Sequence, residues 1–304
     1  MNIPNDFPTN QLEFEKKFGT EDACVAYLAK LRWPDGFRCP VCAEPGWKLN
    51  CRPLFECRRG HQTSITAGTI FHATRKPITL WFRAMFMMVA QRPGLSAKNL
   101  MTLMGFGSYE TAWTWLHKLR RAMKRPDRSL LGGEVEVDET YVGGPTEGCG
   151  RGSANPMVVA AAEREGKRIG RIRLEMVADG SAEQLGAFVK GQVVAGTRVR
   201  TDGWNGYCDL KNLGFDHRPR VQGAPENAVK ILPAVHRAFS LLKRWLLGTH
   251  QGAVHEKHLQ AYLDEFTFRF NRRTSSHRGK LFHRLAGQVV RRRALTYREL
   301  AAAA

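Results

Sequence analysis

Acidic side chains are scarce in this 304-residue chain: 28 Asp and Glu stand against 47 Lys and Arg, for a formal net charge of +19 and a pI near 10.1. The excess is spread from Lys16 to Arg298 rather than gathered in a tail. A polyanion touching several parts of the chain fits that spread better than a membrane surface does. Long apolar runs are also lacking. The longest, around Trp81 to Ala90, is too short and too interrupted to span a bilayer, and Met1 to Glu15 is too polar for a secretory signal. Cysteine is limited to seven residues, an odd number, and four of them fall between Cys39 and Cys57. That clustering argues against a disulfide framework and for metal binding in a cytoplasmic protein. There is no internal repeat, and the only low-complexity stretch is the alanine tail Ala301 to Ala304, expected to fray.

The length suits roughly two domains. Leu12 to Leu31 reads as a helix with Cys24 as a small core residue, and Trp33-Pro34-Asp35-Gly36 as a turn. Phe37 to Ile70 is rich in Cys, Gly, Arg and Pro, with short strand-like pieces such as Gln62 to Thr66. Pro77 to Gln91 is a strongly apolar helix with Pro near its start. Leu95 to Met104 and Tyr109 to Met123 are two more helices, and Arg125-Pro126-Asp127 with Gly132-Gly133 marks the main boundary. From Glu134 the period changes to strands: Glu134 to Val142, Met157 to Glu163, Arg171 to Val177, Arg198 to Thr201 and His217 to Val221, with a helix at Ser181 to Lys190. Helices at Ala228 to Leu247 and Glu256 to Asn271 complete an α/β layout.

Cys39-Pro40-Val41-Cys42 offers two thiolates at knuckle spacing, and Cys57-Arg58-Arg59-Gly60-His61 offers a thiolate and an imidazole. Together they predict one tetrahedral zinc site of structural type, since four protein ligands leave no position open for water. Cys51 is the rival fourth ligand, without a partner at knuckle spacing.

Ser96 to Met123 has the outline of a helix-turn-helix, two helices split by Gly105-Phe106-Gly107-Ser108. On the second helix Trp113, Leu116 and Leu119 are expected to face the core, and Lys118, Arg120, Arg121 and Lys124 to reach phosphates.

Two aspartates end short apolar runs amid this positive charge: Asp138 in Glu136-Val137-Asp138-Glu139 and Asp202 in Arg200-Thr201-Asp202-Gly203. Carboxylates at strand ends suit a divalent cation that works on phosphodiesters. They fall on the first and fourth expected strands, and Glu226, His236, Glu256 and Glu265 are the candidates for a third ligand.

Several segments together resemble bacterial insertion-sequence transposases of the ISXO-like type, which join a zinc ribbon to an RNase H-like DDE domain. They are Thr66-Ala67-Gly68-Thr69-Ile70-Phe71-His72, Tyr109-Glu110-Thr111-Ala112-Trp113 with Lys118-Leu119-Arg120, Val137-Asp138-Glu139-Thr140-Tyr141-Val142-Gly143-Gly144, and Thr201-Asp202-Gly203-Trp204. Leu242-Lys243-Arg244-Trp245-Leu246-Leu247-Gly248-Thr249-His250 and Tyr262-Leu263-Asp264-Glu265-Phe266, running into Arg269-Phe270-Asn271-Arg272-Arg273, extend the likeness over nearly the whole chain. The resemblance implies that Asp138 and Asp202 are catalytic. It also implies that the third acid should stand two helical turns before Lys243, where this chain has His236 instead. His236 is therefore the expected third ligand, with Glu265 the alternative, and Lys243 is expected at the DNA phosphate. Arg244, Arg272 and Arg273 are read as DNA-backbone contacts, and Trp204 as a core or rim residue.

The expected organisation is an N-terminal helical segment (1–36), a zinc ribbon (37–76), a helical DNA-binding segment (77–130), an RNase H-like catalytic domain (131–290) and a tail (291–304). The expected activity is metal-dependent cleavage and strand transfer at an element's terminal repeats. Mg²⁺ or Mn²⁺ would serve in catalysis and Zn²⁺ in structure, and the protein would form a homo-oligomer on DNA in the nucleoid. The alternatives are an inactive or domesticated DNA-binding derivative, or a metal-dependent nuclease without strand transfer.

Overall fold

A computed structural model describes residues 7–50, 53–143, 155–221, 228–252, 254–275 and 277–302. The chain divides into two compact units. One joins Met1–Arg125 to Thr274–Ala304, and the other is Pro126–Arg273.

The first unit opens with α1 (Gln11–Phe18) and α2 (Glu21–Arg32). The sequence suggests one helix here, but the Thr20 hydroxyl accepts from the Ala23 N–H and starts a second. A three-stranded antiparallel sheet follows, β1 (Gly46–Lys48), β2 (Leu54–Cys57) and β3 (Gln62–Ser64). Arg32 ties it to α2 by donating to the Ser64, Ile65 and Ala67 carbonyls. Next come α3 (Ile78–Ala90), α4 (Ala97–Met104) and α5 (Tyr109–Met123). Pro77 is the residue before α3 rather than its first turn, and the Glu21 carboxylate supplies the cap, accepting from the Ile78 and Thr79 N–H groups.

The end of the chain returns to this unit as α10 (Arg278–Val289) and α11 (Tyr297–Ala302). Residues 278–290, expected in the RNase H-like domain, pack in the first unit instead, and the expected tail carries a helix. The reason is apolar closure. Phe282 is fully buried among Phe14, Phe18, Tyr27, Phe82 and Phe86, with ring centroids 5.2–6.3 Å away.

The second unit is a five-stranded mixed sheet with helices on both faces. Its strands are β4 (Glu134–Tyr141), β5 (Met157–Glu165), β6 (Arg168–Val177), β7 (Arg198–Thr201) and β8 (Asp216–Pro219), in spatial order β6-β5-β4-β7-β8. β4, β5 and β6 form an antiparallel meander, while β7 and β8 run parallel to β4. Helix α6 (Ala182–Gln192), capped by Ser181, and a 3₁₀ turn at Asn205–Leu210 cover one face, packing Leu185, Phe188, Val189 and Tyr207 on Val135, Val137 and Val159. On the other face α7 (Ala228–Ile231), α8 (Pro233–His250) and α9 (Glu256–Phe270) bury Val235, Phe239, Leu242 and Leu263 on Val158, Ala160, Ile172 and Leu174. The single helix read from Ala228 is two, because Pro233 starts a new one. Among the described residues no helix is long and apolar enough to cross a membrane.

Candidate active site and zinc cluster

The spacing of the two aspartates matches the sheet. β4 and β7 pair in parallel with Glu134 opposite Arg198, Val135 opposite Val199 and Glu136 opposite Arg200. Continued along both strands, that register sets Asp138 level with Asp202. Asp138 is 7% exposed, in the middle of β4, and Asp202 directly follows β7. The chain turns away immediately. Gly203 adopts φ +87°, a conformation that favours glycine, and the Asp202 carboxylate accepts the Trp204 N–H at 2.9 Å. The Trp204 indole N–H in turn donates to the Gly180 carbonyl at 3.2 Å, making Trp204 a rim residue fixed to the next loop. Thr201 Oγ1 and His217 Nε2, 2.9 Å apart, hold the end of β7 against β8.

Alternation along β4 sorts its polar groups. Val135 and Val137 enter the core on the α6 side, where Glu139 accepts from the Tyr207 hydroxyl at 2.7 Å. Glu136, Asp138 and Thr140 face α8. Glu136 is fully buried and accepts the N–H groups of Ala234 and Val235 at 2.6 and 3.1 Å. That caps the first turn of α8, where backbone donors otherwise lack partners and a negative charge is favoured. Burial raises the Glu136 pKa against the lowering effect of those N–H groups and of Arg164 and Arg200.

So anchored, α8 brings His236 Nε2 to 3.4 Å from Asp138 Oδ2. Two turns on, Lys243 Nζ donates to Thr140 Oγ1 at 2.9 Å. Burial lowers the His236 pKa, the Asp202 charge opposes that, and Lys243 adds to the lowering. The imidazole is thus neutral at neutral pH, the state that can donate a lone pair to a metal.

Glu265 lies elsewhere. Helix α9 packs on β6, with Gln260 accepting from the Met176 N–H and Asn271 from the Ile172 N–H, two strands away from β4. There Glu265 is fully buried, with Arg269 at 3.9 Å. Glu256 lines a cavity of about 580 Å³ with Tyr141, Asp179 and Trp204. Glu226 lies outside the described residues.

Cys39, Cys42, Cys57 and His61 converge, with their four ligand atoms all within 4.8 Å of one another. Cys42 and Cys57 sulfurs are 3.6 Å apart, and His61 Nδ1 is 3.7 and 3.6 Å from the Cys39 and Cys57 sulfurs. A tetrahedron with bonds of about 2.3 Å to sulfur has edges of about 3.8 Å, so the cluster fits zinc. The rival ligand Cys51 lies outside the described residues.

The expected DNA-contacting residues fare unevenly. Arg120 is 1% exposed, packed into the first unit rather than turned to solvent. The core tryptophan of α5 is Trp115, stacked on Trp81 with centroids 3.6 Å apart, while Trp113 is only half-buried against His117 and Tyr297. Lys118, Arg121 and Lys124 remain partly exposed. Burial lowers the Arg121 pKa, and repulsion from Arg292 and Arg293 adds to it, so the C-terminal segment enlarges this basic patch in a way the helix sequence alone does not show. Arg244 is exposed. Arg272 and Arg273 are employed within the fold: Arg272 donates to the Phe268 carbonyl and lies over the Phe268 ring, and Arg273 donates to the Ile169, Gly170 and Phe270 carbonyls. Arg273 ties the end of α9 to the β6 side while staying exposed, and Arg272 folds back along α9.

Residues 130–271 match the ISXO2-like transposase domain, and residues 19–63 match the transposase zinc-ribbon domain. The chain is also 28% identical over 289 residues to the "Uncharacterized protein in transposable element ISH50" of Halobacterium salinarum, covering 84% of this chain and 92% of that protein. A zinc ribbon and an ISXO2-like domain in one chain, over the fold and cluster described above, place it in the family of insertion-sequence transposases.

Proposed function

We propose that the second unit cleaves and rejoins DNA phosphodiesters at Asp138, Asp202 and His236. The observation that carries this reading is the His236 imidazole nitrogen 3.4 Å from Asp138, on a strand whose parallel pairing with β7, continued, brings Asp138 level with Asp202. Two carboxylates and a neutral imidazole form a donor set that a divalent cation accepts, and imidazole suits Mn²⁺ better than Mg²⁺. When bound, such a cation supplies positive charge to the phosphoryl oxygens and makes an oxygen nucleophile available at neutral pH.

The chain's own groups do the positioning. Asp138 and Asp202 present acceptor oxygens at fixed height, since each belongs to, or directly follows, a central strand. His236 is oriented through the Glu136 cap, and Lys243 stands beside Thr140 as a phosphate contact on the same face. Hydrolysis breaks the bond from phosphorus to the 3′ oxygen, leaving a 3′-OH and a 5′-phosphate. In strand transfer that 3′-OH attacks a target phosphodiester and displaces the target's own 3′ oxygen, with no covalent protein intermediate. The first unit, through its zinc ribbon and Lys118, Arg121 and Lys124, holds the element's terminal repeats, and a homo-oligomer pairs two ends.

Mn²⁺-dependent cleavage of a duplex carrying the element's end tests this reading. Asp138→Asn and Asp202→Asn should each abolish cutting while leaving DNA binding close to wild type. A wild-type chain that binds but does not cut would favour a decayed transposase, for which the His236 position is the supporting feature. Cutting without joining of pre-cleaved ends would favour a plain nuclease.

A further inference from the structure

A second feature of the sheet lies outside that constellation. A depression of about 750 Å³ opens along the β7–β8 side of the sheet, lined by Arg164, Arg198, Arg200, Lys211, Arg218 and Arg220. Parallel pairing sets Arg198 beside Asp216 and Arg200 beside Arg218, so these side chains share one face. Three carboxylates serve four of the guanidinium groups, Glu136 adding a contact to Arg164 at 3.4 Å. Glu134 pairs with Arg164 at 3.3 Å and Arg200 at 2.9 Å, and Asp216 pairs with Arg198 at 3.2 Å and Arg218 at 2.7 Å. Lys211 and Arg220 have no carboxylate partner among the described residues. The wall is built rather than loosely solvated: Arg200 is only 9% exposed and also donates to the Ile231 carbonyl.

The cations form a track with a direction. The Arg220 N–H donates to the Thr201 carbonyl at 2.9 Å, which carries the β7–β8 pairing up to the level of Asp202. From Asp138 back to Glu134, where the depression begins, four strand residues span about 13 Å. The backbone of one DNA strand winds round an axis along which each nucleotide rises about 3.4 Å, so this reach holds a short run of successive phosphates, fewer than the axial rise alone would give. A free anion would need one closed pocket. An open row of forked donors leading away from a pair of aspartates suits a chain of phosphates.

We propose that this depression seats the sugar-phosphate backbone of the DNA strand that runs past Asp202. The inference rests on the catalytic reading above for its direction, but its test does not depend on cleavage. Binding of a fluorescent 30-base-pair duplex of arbitrary sequence to the full-length zinc-loaded protein is measured by anisotropy over a range of KCl concentrations. The variant Lys211→Gln/Arg218→Gln/Arg220→Gln should flatten the log–log salt slope by about two to three, close to one per lost phosphate contact. A control, Lys16→Gln/Lys30→Gln/Lys190→Gln, removes the same formal charge from exposed positions outside the depression and should leave the slope within about half a unit of wild type. Because Arg218 is ion-paired, Lys211→Gln/Arg220→Gln provides a second variant that spares the Asp216 cluster, with a slope flatter by about one to two. Equal slopes in wild type and both depression variants, or equal flattening in the control, overturn the proposal. Asp138→Asn should bind with the wild-type slope. If neither it nor the wild type cuts DNA, the catalytic reading fails while the salt comparison still decides the depression.

Discussion

The Glu136 carboxylate accepts the Ala234 backbone N–H at 2.6 Å, joining the strand that bears Asp138 to the first turn of the helix that bears His236. Each partner stands two positions before a candidate ligand. The bond therefore sets the height of α8 over the sheet, and with it the Asp138–His236 distance. Glu136→Ala strands two helical N–H groups in a buried place and should cost about 1–3 kcal/mol of stability. It should also depress cleavage beyond what the lost stability explains. Glu136→Gln keeps an acceptor oxygen and should fold. Chemical denaturation alongside cleavage by the folded fraction checks this, and a fully stable, fully active Glu136→Ala would show that the cap does not position the site.

His236 should set the metal preference. With a neutral imidazole in the donor set, Mn²⁺ should support more cleavage than Mg²⁺, and His236→Ala should lose activity on the order of 100-fold or more. His236→Glu should retain activity and shift toward Mg²⁺, because a carboxylate is the harder ligand. Glu265→Gln, two strands away on α9, should keep most of its activity once folded. The reverse ranking of His236→Ala and Glu265→Gln would move the third ligand to α9.

The cluster of Cys39, Cys42, Cys57 and His61 predicts one zinc per chain. Cys57→Ser should lose most of the metal and lower the melting temperature of the first unit, because binding energy at a structural site is folding energy. Metal analysis of the purified variants checks this. Full zinc retention in Cys57→Ser, with loss in Cys51→Ser, would reassign the site.

Acid should weaken the first unit through His283. Its Nδ1 lies 2.6 Å from the Tyr27 hydroxyl, and burial, with a smaller contribution from Arg284, lowers its pKa. Between the lowered folded value and about 6.5 the unfolded chain binds the proton that the folded chain refuses. The stability tied to the neutral ring is complete above about 6.5 and is lost as the pH falls below it. Melting temperatures of wild type and His283→Gln at pH 7.5 and 5.5 isolate this contribution, since acid loss of zinc affects both chains alike. The gap between the two should narrow at pH 5.5, and a constant gap would mean that His283 does not titrate in this range.

Sequence patterns revealed these features unequally, for physical reasons. The five strands were legible because short runs of apolar and β-branched residues bounded by turns are local signals, and Asp138 and Asp202 because each ends such an apolar run. His236 was legible only through its spacing from Lys243 in a family pattern, since nothing local distinguishes it on an amphipathic helix. Charge misled where packing decides. Arg120 looks like its neighbours on α5 but turns inward. The role of Glu136 was hidden because its partners, Ala234 and Val235, lie far along the chain. α10 was missed for the same reason, its apolar face meeting helices made near the start.

The return of the C-terminal segment to the first unit makes the order of synthesis matter. A ribosome that has completed the five-stranded sheet has not yet made Phe282, the ring that fills the centre of the aromatic cluster between α1, α2 and α3. Until Phe282 emerges, Phe14, Phe18 and Phe82 lack their shared neighbour, and the early helices wait for the last ones. A nonsense codon just after Arg273 would spare every strand of the sheet, yet leave the zinc-bearing unit without its closing helix. Late truncations of the gene should thus destroy DNA-end recognition by misfolding a part of the protein translated long before the stop, and yield chains prone to aggregate through exposed aromatic surface.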